Sequence, residues 1–271
     1  MSRKGLRFDG TKGFLTILIL LAGLSGGLEA IAQPATNREM MISAAISLKN
    51  AFEEIGKIFR EKNPGMKLVF NFGSSGDLAR QIEAGAPVDI FASAGQKDMN
   101  DIDRKGLLAA NSRKDFTGNT MVLVKPVHST IKLTSLKDLQ AGGVKRIAIG
   151  NPKTVPAGRY AEEALKQFNL WDVLKDKLIF AENARQVLDY VAREEVDAGL
   201  VYSTDAALRI KEVKIMVKLP EGSHQPILYP IAVLKGAQDE KGARKFVEFV
   251  LSAEAQRILK QHGFTPLSQV R

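Results

Sequence analysis

The chain has 271 residues, of which 45% are hydrophobic and 25% charged, with a formal charge of +9 and no cysteine. That length and balance suit one or two globular domains with a sizeable core and exclude a disordered or fibrous chain. The lack of cysteine excludes disulfides, thiolate metal ligands and a lipid-modified cysteine behind an export signal.

The N-terminus is unlike the rest. Arg3, Lys4, Arg7 and Lys12 precede an apolar run from Phe14 to Leu24, and Ala30-Ile31-Ala32 fits a small-x-small cleavage site. The pattern predicts a signal peptide over residues 1–32, a mature chain from near Gln33, and a periplasmic location, with anchor-free secretion as the alternative. A membrane anchor is disfavoured because the run is short and Gly26, Gly27 and Glu29 interrupt it. Four basic and two acidic residues leave with the signal, so the mature chain keeps +7 of the +9. Its Lys and Arg residues are scattered among Glu and Asp on predicted helix faces. This is a solvated basic surface rather than a stripe for nucleic acid, and no nucleic-acid partner is expected.

Residues 33–39 are polar and read as loose. Met40–Ala45 predicts a buried first strand. Leu48, Ala51, Phe52, Ile55, Ile58 and Phe59 then recur at helical spacing, and Asn63-Pro64-Gly65 stops that helix. Leu68–Phe72 predicts a second strand, the segment around Leu78 and Ile82 a short helix ended by Gly85-Ala86-Pro87, Asp89–Ala94 a third strand, and Lys97–Lys105 another helix. Such alternation predicts a parallel sheet with helices on both faces. Thr120–Lys125 is strongly β-prone and placed to carry the chain across to a second lobe, where the alternation restarts. There Leu136–Leu139 reads as a short helix, Arg146–Gly150 as a strand, Pro156–Phe168 as a helix, Lys177–Phe180 as a strand, Ala184–Glu194 as a helix and Ala198–Tyr202 as a strand, with Ile215–Leu219 a candidate for one more. Ile227–Leu234, containing Tyr229-Pro230, is β-like and placed to bring the chain back, and the C-terminal region is helical. The expected fold class is α/β in two lobes, residues 40–117 plus 226–271 forming lobe 1 and 118–225 lobe 2, with a cleft between them. Ligands bind outside the carboxyl ends of strands in such sheets.

Several strand-to-helix junctions have one character. Ser47 follows the first strand; Gly73-Ser74-Ser75-Gly76 follows the second; Pro156-Ala157-Gly158 and Asn183-Ala184 open helices in the second lobe; Tyr202 ends a strand. The first amides of a helix have no partner inside it, and the helix dipole makes that end positive. If the lobes face each other, these junctions offer hydroxyls, free backbone N–H groups and one phenol, all donors and none formally charged. That set suits a small, permanently ionised oxyanion. Taken singly, each has a plainer reading: an N-cap serine, a turn glycine, a core tyrosine.

Longer strings carry a resemblance. Ala44-Ala45-Ile46-Ser47-Leu48, Leu78 to Pro87 (L-A-R-Q-I-E-A-G-A-P), Val155-Pro156-Ala157-Gly158, Gly199-Leu200-Val201-Tyr202-Ser203-Thr204-Asp205-Ala206, Tyr229-Pro230-Ile231-Ala232-Val233 and His262-Gly263-Phe264-Thr265 closely resemble the periplasmic molybdate-binding proteins of ABC transporters, in order and across essentially the whole mature chain. The resemblance implies a type II-like periplasmic-binding-protein fold with the ligand in the interlobe cleft. It implies molybdate or tungstate held by Ser47 and Ser75 from one lobe, and by the Ala157 and Ala184 amides and Tyr202 from the other. The family often has valine within Glu-Asp-Val-Arg where this chain has Glu182-Asn183-Ala184-Arg185, a change that leaves the backbone donor in place. It also implies a membrane permease with its ATPase as partner, no cofactor beyond the carried anion, no enzymatic activity and no direct protein–metal bond. A monomer is expected.

Two other readings stand beside it. One is a receptor of the same architecture for sulfate or another tetrahedral oxyanion. The other is a secreted serine hydrolase with Ser47 or Ser75 as nucleophile and His128, His224 or His262 as base, although Gly73-Ser74-Ser75-Gly76 is not a Gly-x-Ser-x-Gly elbow. A metal-cation receptor is not supported by any histidine pair or carboxylate cluster in the sequence.

Overall fold

The computed structural model describes residues 38–270, so the predicted signal peptide at 1–32 lies outside it. The chain runs β1 (Arg38–Ala45), α1 (Lys49–Lys62), β2 (Met66–Gly73), α2 (Ser75–Glu83), β3 (Ile90–Ala92), α3 (Gln96–Arg104), β4 (Lys114–Gly118) and β5 (Met121–Pro126). It continues with β6 (Ile147–Gly150), α4 (Pro156–Gln167), α5 (Trp171–Leu174), β7 (Leu178–Ala181), α6 (Ala184–Ala192), β8 (Ala198–Tyr202), α7 (Ser203–Ala206), β9 (Val213–Lys218), β10 (Leu228–Val233), α8 (Glu240–Leu251) and α9 (Ala253–Gln261).

Two five-stranded sheets result, ordered β2-β1-β3-β10-β4 and β7-β6-β8-β5-β9. Three strands of each are parallel, β2, β1 and β3 in the first and β7, β6 and β8 in the second. The expected all-parallel sheets are therefore mixed, because β10 and β5 each run opposite to both neighbours. These reversed strands are the runs expected to carry the chain between lobes. Each belongs wholly to one sheet, β5 to the second and β10 to the first; the passages are the short stretch after Gly118 and the segment between Lys218 and Leu228. Arg38 and Glu39, expected to be loose, already pair with Met66 and Lys67.

Side-chain alternation sorts the strands between layers. Met121 and Leu123 of β5, with Ala198, Leu200 and Tyr202 of β8, join the large core that also holds Ile42, Ala44 and Phe52. Val122, Val124 and Val201 point the other way, under α6. On the far face of the first sheet, Phe91 and Ala232 pack with Leu78, Ile82, Met99 and Ile102 of α2 and α3. Helix α1 is pinned through Phe52 and Phe59 to Phe246 of α8, ring centroids 6.2 and 5.1 Å away. These layers hold the carboxyl ends of β1, β2, β6 and β8 at one place.

Candidate functional site

Five residues singled out from the sequence, Ser47, Ser75, Ala157, Ala184 and Tyr202, line one small cavity together with Ala45, Ile46, Gly73, Ser74, Ala94, Val155 and Pro156. About 10 Å³ of it is open to the centre of a water molecule, no more than the space of a single water, so the two walls stand close together. Ser75 and Ala157 are fully buried, and Tyr202, Ala184 and Ser47 nearly so.

Each donor is aimed by its own element. Ser74 is the N-cap of α2: it accepts from the Asp77 N–H at 3.3 Å, and its hydroxyl donates to the Asp77 carboxylate. Ser75 is thereby the first helical residue and turns inward, where its Oγ accepts from the Ala94 N–H at 2.9 Å. An amide N–H only donates, so the Ser75 proton is left over for another acceptor. Pro156 opens α4 without an N–H, which makes Ala157 the first amide of that helix, and Val155 supplies no side-chain cap. Asn183 caps α6 by accepting from the Gln186 N–H at 3.0 Å, leaving the Ala184 amide ahead of it. Tyr202 shares the inner face of β8 with Ala198 and Leu200, and its hydroxyl donates across the cleft to the Ala94 carbonyl at 3.3 Å. Burial pushes the Tyr202 phenol well above its ordinary pKa, so it keeps its proton.

The lobes touch around this cavity. The Gly76 N–H donates to the Thr154 carbonyl at 2.9 Å, and a Cβ on Gly76 would sit 2.5 Å from that oxygen. A Cβ on Gly95 would lie 3.2 Å from both Pro156 and the Tyr160 hydroxyl. Arg159 of α4 pairs with Asp98 of α3, the carboxylate side chain 4% exposed. Burial raises Asp98 above its ordinary pKa against the opposing pull of Arg159. On the other side Arg185 Nε donates to Asp205 at 3.3 Å, and its Nη2 reaches Asn50 of the first lobe at 3.3 Å. Burial pushes Asp205 up to about 6. Each arginine near the donor amides is thus matched by a carboxylate, and neither lines the cavity.

Behind Ser47, its Oγ and the Tyr229 hydroxyl lie 3.0 Å apart. Asn119, on the first passage between sheets, donates from Nδ2 to the Tyr229 oxygen at 3.1 Å and to Thr204 at 2.9 Å, while its Oδ1 accepts from the Thr120 N–H at 2.9 Å. Tyr229 does not line the cavity.

The proposed hydrolase base is not at either serine. His262 bonds to Glu54 at 2.8 Å and His224 to the Gln225 carbonyl at 2.7 Å, His128 is exposed, and none of the three lines the cavity. The sequence did not single out Asp98, Asn119, Arg159 or Tyr229 as site neighbours. One signal was present for Tyr229, a lone hydroxyl inside the apolar run Ile227-Leu228-Tyr229-Pro230-Ile231. The partners of the others are far away in sequence.

Residues 40–265 match the family described as bacterial extracellular solute-binding protein. The molybdate-binding protein ModA of Escherichia coli is 40% identical over 238 residues, covering 85% of this chain and 90% of that one. Its namesake from Haemophilus influenzae is 36% identical over 260 residues, covering 93% and 97%. Among solved structures, the substrate-binding domain of a putative molybdenum ABC transporter from Clostridium difficile superposes with a TM-score of 0.66 at 41% identity, over 84% of this chain and 99% of that one.

Proposed function

Because this chain belongs to the bacterial extracellular solute-binding protein family, we propose that it captures molybdate, and tungstate by the same chemistry, and delivers it to the membrane permease of an ABC importer driven by its ATPase. The observation that carries this reading is the convergence of Ser47, Ser75, Ala157, Ala184 and Tyr202, from both lobes, on one small cavity. Its side-chain hydroxyls and first helical amides are donors, and the arginines nearby are already matched by Asp98 and Asp205. A dianion therefore meets hydrogen-bond donors without an unpaired buried cation, an arrangement that would otherwise be costly.

Molybdate at neutral pH has acceptor oxygens only, so converging hydroxyl and amide donors satisfy it. Hydrogen phosphate brings a proton that needs an acceptor, and leaving it unpaired costs about 1–3 kcal/mol. Sulfate has the right charge but is smaller, so fixed donors on two walls cannot all reach it, and missing hydrogen bonds discriminate better than volume. The Tyr202 bond to Ala94 is long, at 3.3 Å, and a charged acceptor outcompetes it because such bonds are roughly twice as strong. A receptor fits this arrangement better than a hydrolase, since neither serine has a histidine to activate it.

Calorimetric titration of the chain from Gln33 onward with molybdate, tungstate, sulfate and phosphate tests the reading. One molybdate or tungstate per chain is expected, far tighter than either other anion; equal or tighter sulfate binding overturns it. Ser75→Ala and Tyr202→Phe each remove one donor. Hydrogen bonds to charged groups contribute about 1.5–3 kcal/mol, so each should weaken molybdate roughly tenfold or more. Ser75→Ala should also melt lower, because it strands the buried Ala94 N–H. Parent-like molybdate binding by both variants would show that these hydroxyls are not ligands.

A further inference from the structure

Tyr229 is fully buried with two hydrogen-bond partners, Ser47 and Asn119. The direction of the bonds through it follows from a single fixed donor. The Thr120 N–H can only donate, so the Asn119 atom facing it at 2.9 Å is the amide oxygen. The amide nitrogen must then face Tyr229 and Thr204, and it too can only donate. The Tyr229 oxygen accepts from Asn119, which leaves its one proton for the Ser47 oxygen at 3.0 Å. Ser47 accepts there, so its own proton has no protein acceptor and is turned to the cavity it lines. Ser75 reaches the same polarity by a shorter route, its oxygen filled by the Ala94 N–H. Both serines are thereby held as donors before any ligand arrives.

We propose that Tyr229, held by Asn119, is a positioning residue that fixes the Ser47 hydroxyl as a donor and thereby makes the cavity reject oxyanions carrying a proton. The inference rests on the oxyanion-receptor reading above and adds the residue that sets its selectivity. A serine hydroxyl that is free to rotate serves equally as donor or acceptor, and would accept the proton of hydrogen phosphate. A serine locked as donor cannot, so the phosphate proton loses its acceptor at this position of a buried site. Burial holds the Tyr229 phenol above its ordinary pKa, so the proton that the lock depends on stays in place. Asn119 also joins the lock to the second lobe, since Thr204 lies two residues beyond Tyr202.

The test is a three-anion titration of the parent, Tyr229→Phe and Asn119→Asp, at a pH where phosphate is the hydrogen phosphate dianion. Molybdate and sulfate carry no proton, so Tyr229→Phe should weaken both by the same factor, roughly tenfold. Hydrogen phosphate should be unaffected or bind better, so its preference relative to molybdate rises about tenfold while the sulfate-to-molybdate ratio stays at the parent value. A merely structural role would change cavity shape and move the sulfate ratio, or weaken all three alike. Asn119→Asp is isosteric and reverses the chain: a carboxylate accepts from Tyr229, Ser47 must donate to Tyr229, and a lone pair faces the cavity. It should raise the phosphate-to-molybdate ratio further, whereas the added charge alone would weaken all dianions together. A parent that binds no molybdate overturns the receptor reading and this inference with it. A parent that binds molybdate, with folded variants that keep its phosphate-to-molybdate ratio, overturns this inference alone.

Discussion

Gly158→Ala is expected to destabilise the protein and to abolish most of its molybdate binding, although helix propensity alone favours the change. Alanine in a helix interior gains about 1 kcal/mol over glycine. Gly158 is the third residue of α4, and a Cβ there would lie 2.0 Å from the carbonyl oxygen of Gly150, which ends β6. That atom is backbone inside a sheet and cannot swing aside. The start of α4 must retreat by well over an ångström, and overpacking of this kind costs about 1–3 kcal/mol or more. The Ala157 amide next to it retreats too, and losing one hydrogen bond to a charged ligand weakens binding roughly ten- to hundredfold. Gly143→Ala is the control, since a Cβ there meets nothing within 4 Å. Thermal melts and molybdate titrations of both variants check the outcome. Parent-like binding by Gly158→Ala would mean that the close packing of α4 on β6 does not hold the site.

The second large effect is expected from Asp98→Ala. The Asp98 and Arg159 side chains are 4% and 15% exposed; Arg159 bonds Asp98 through Nη2, and its buried Nη1 has no hydrogen-bond partner. Removing the carboxylate strands a buried guanidinium, which costs about 3–5 kcal/mol. Replacing the pair together, Asp98→Leu with Arg159→Met, should recover most of that loss, because a buried pair gains little over well-packed apolar groups. The pH dependence has a definite sign. Asp98 is raised above 3.8, so the native state holds its proton more tightly than the unfolded chain does. Its contribution to stability is present below 3.8 and is lost as pH rises through the raised value. Asp205, pushed up to about 6, acts in the same direction. Urea denaturation should show the parent losing stability relative to the double variant as pH rises from below 3.8 through the raised Asp98 value. An Asp98→Ala protein as stable as the parent at neutral pH would refute the account.

The legible part of the fold was the part with local cause. Leu48 to Phe59 shows a 3.6 period and became α1, and Met40–Ala45 is a short apolar run that became β1. Strand β4, Lys114–Gly118, begins with two exposed charged residues and is held by pairing with β10, a partner more than a hundred residues away, so no local pattern announced it. Thr120–Lys125 read correctly as β-prone, but which sheet it joined depended on β8 and β9. At the site, the junction chemistry of Ser47, Ser75, Ala157, Ala184 and Tyr202 could be read one by one; their meeting at one cavity was implied only by the family resemblance, because it depends on how two separately built lobes face each other. Asp98 with Arg159 and Ser47 with Tyr229 are pairs whose chemistry is plain only once they are adjacent.

The Gly76 bond to Thr154 closes over the same residues that line the cavity. An ion held there bonds donors from both lobes, so its departure is tied to the parting of Gly76 from Thr154 and of Arg159 from Asp98. Residence time is then a property of the protein's own opening frequency rather than of the ion's affinity for individual donors. A protein built this way holds its cargo as a timer does. Whatever pries the lobes apart sets the rate of unloading, and raising the concentration of a competing anion outside does not hasten it.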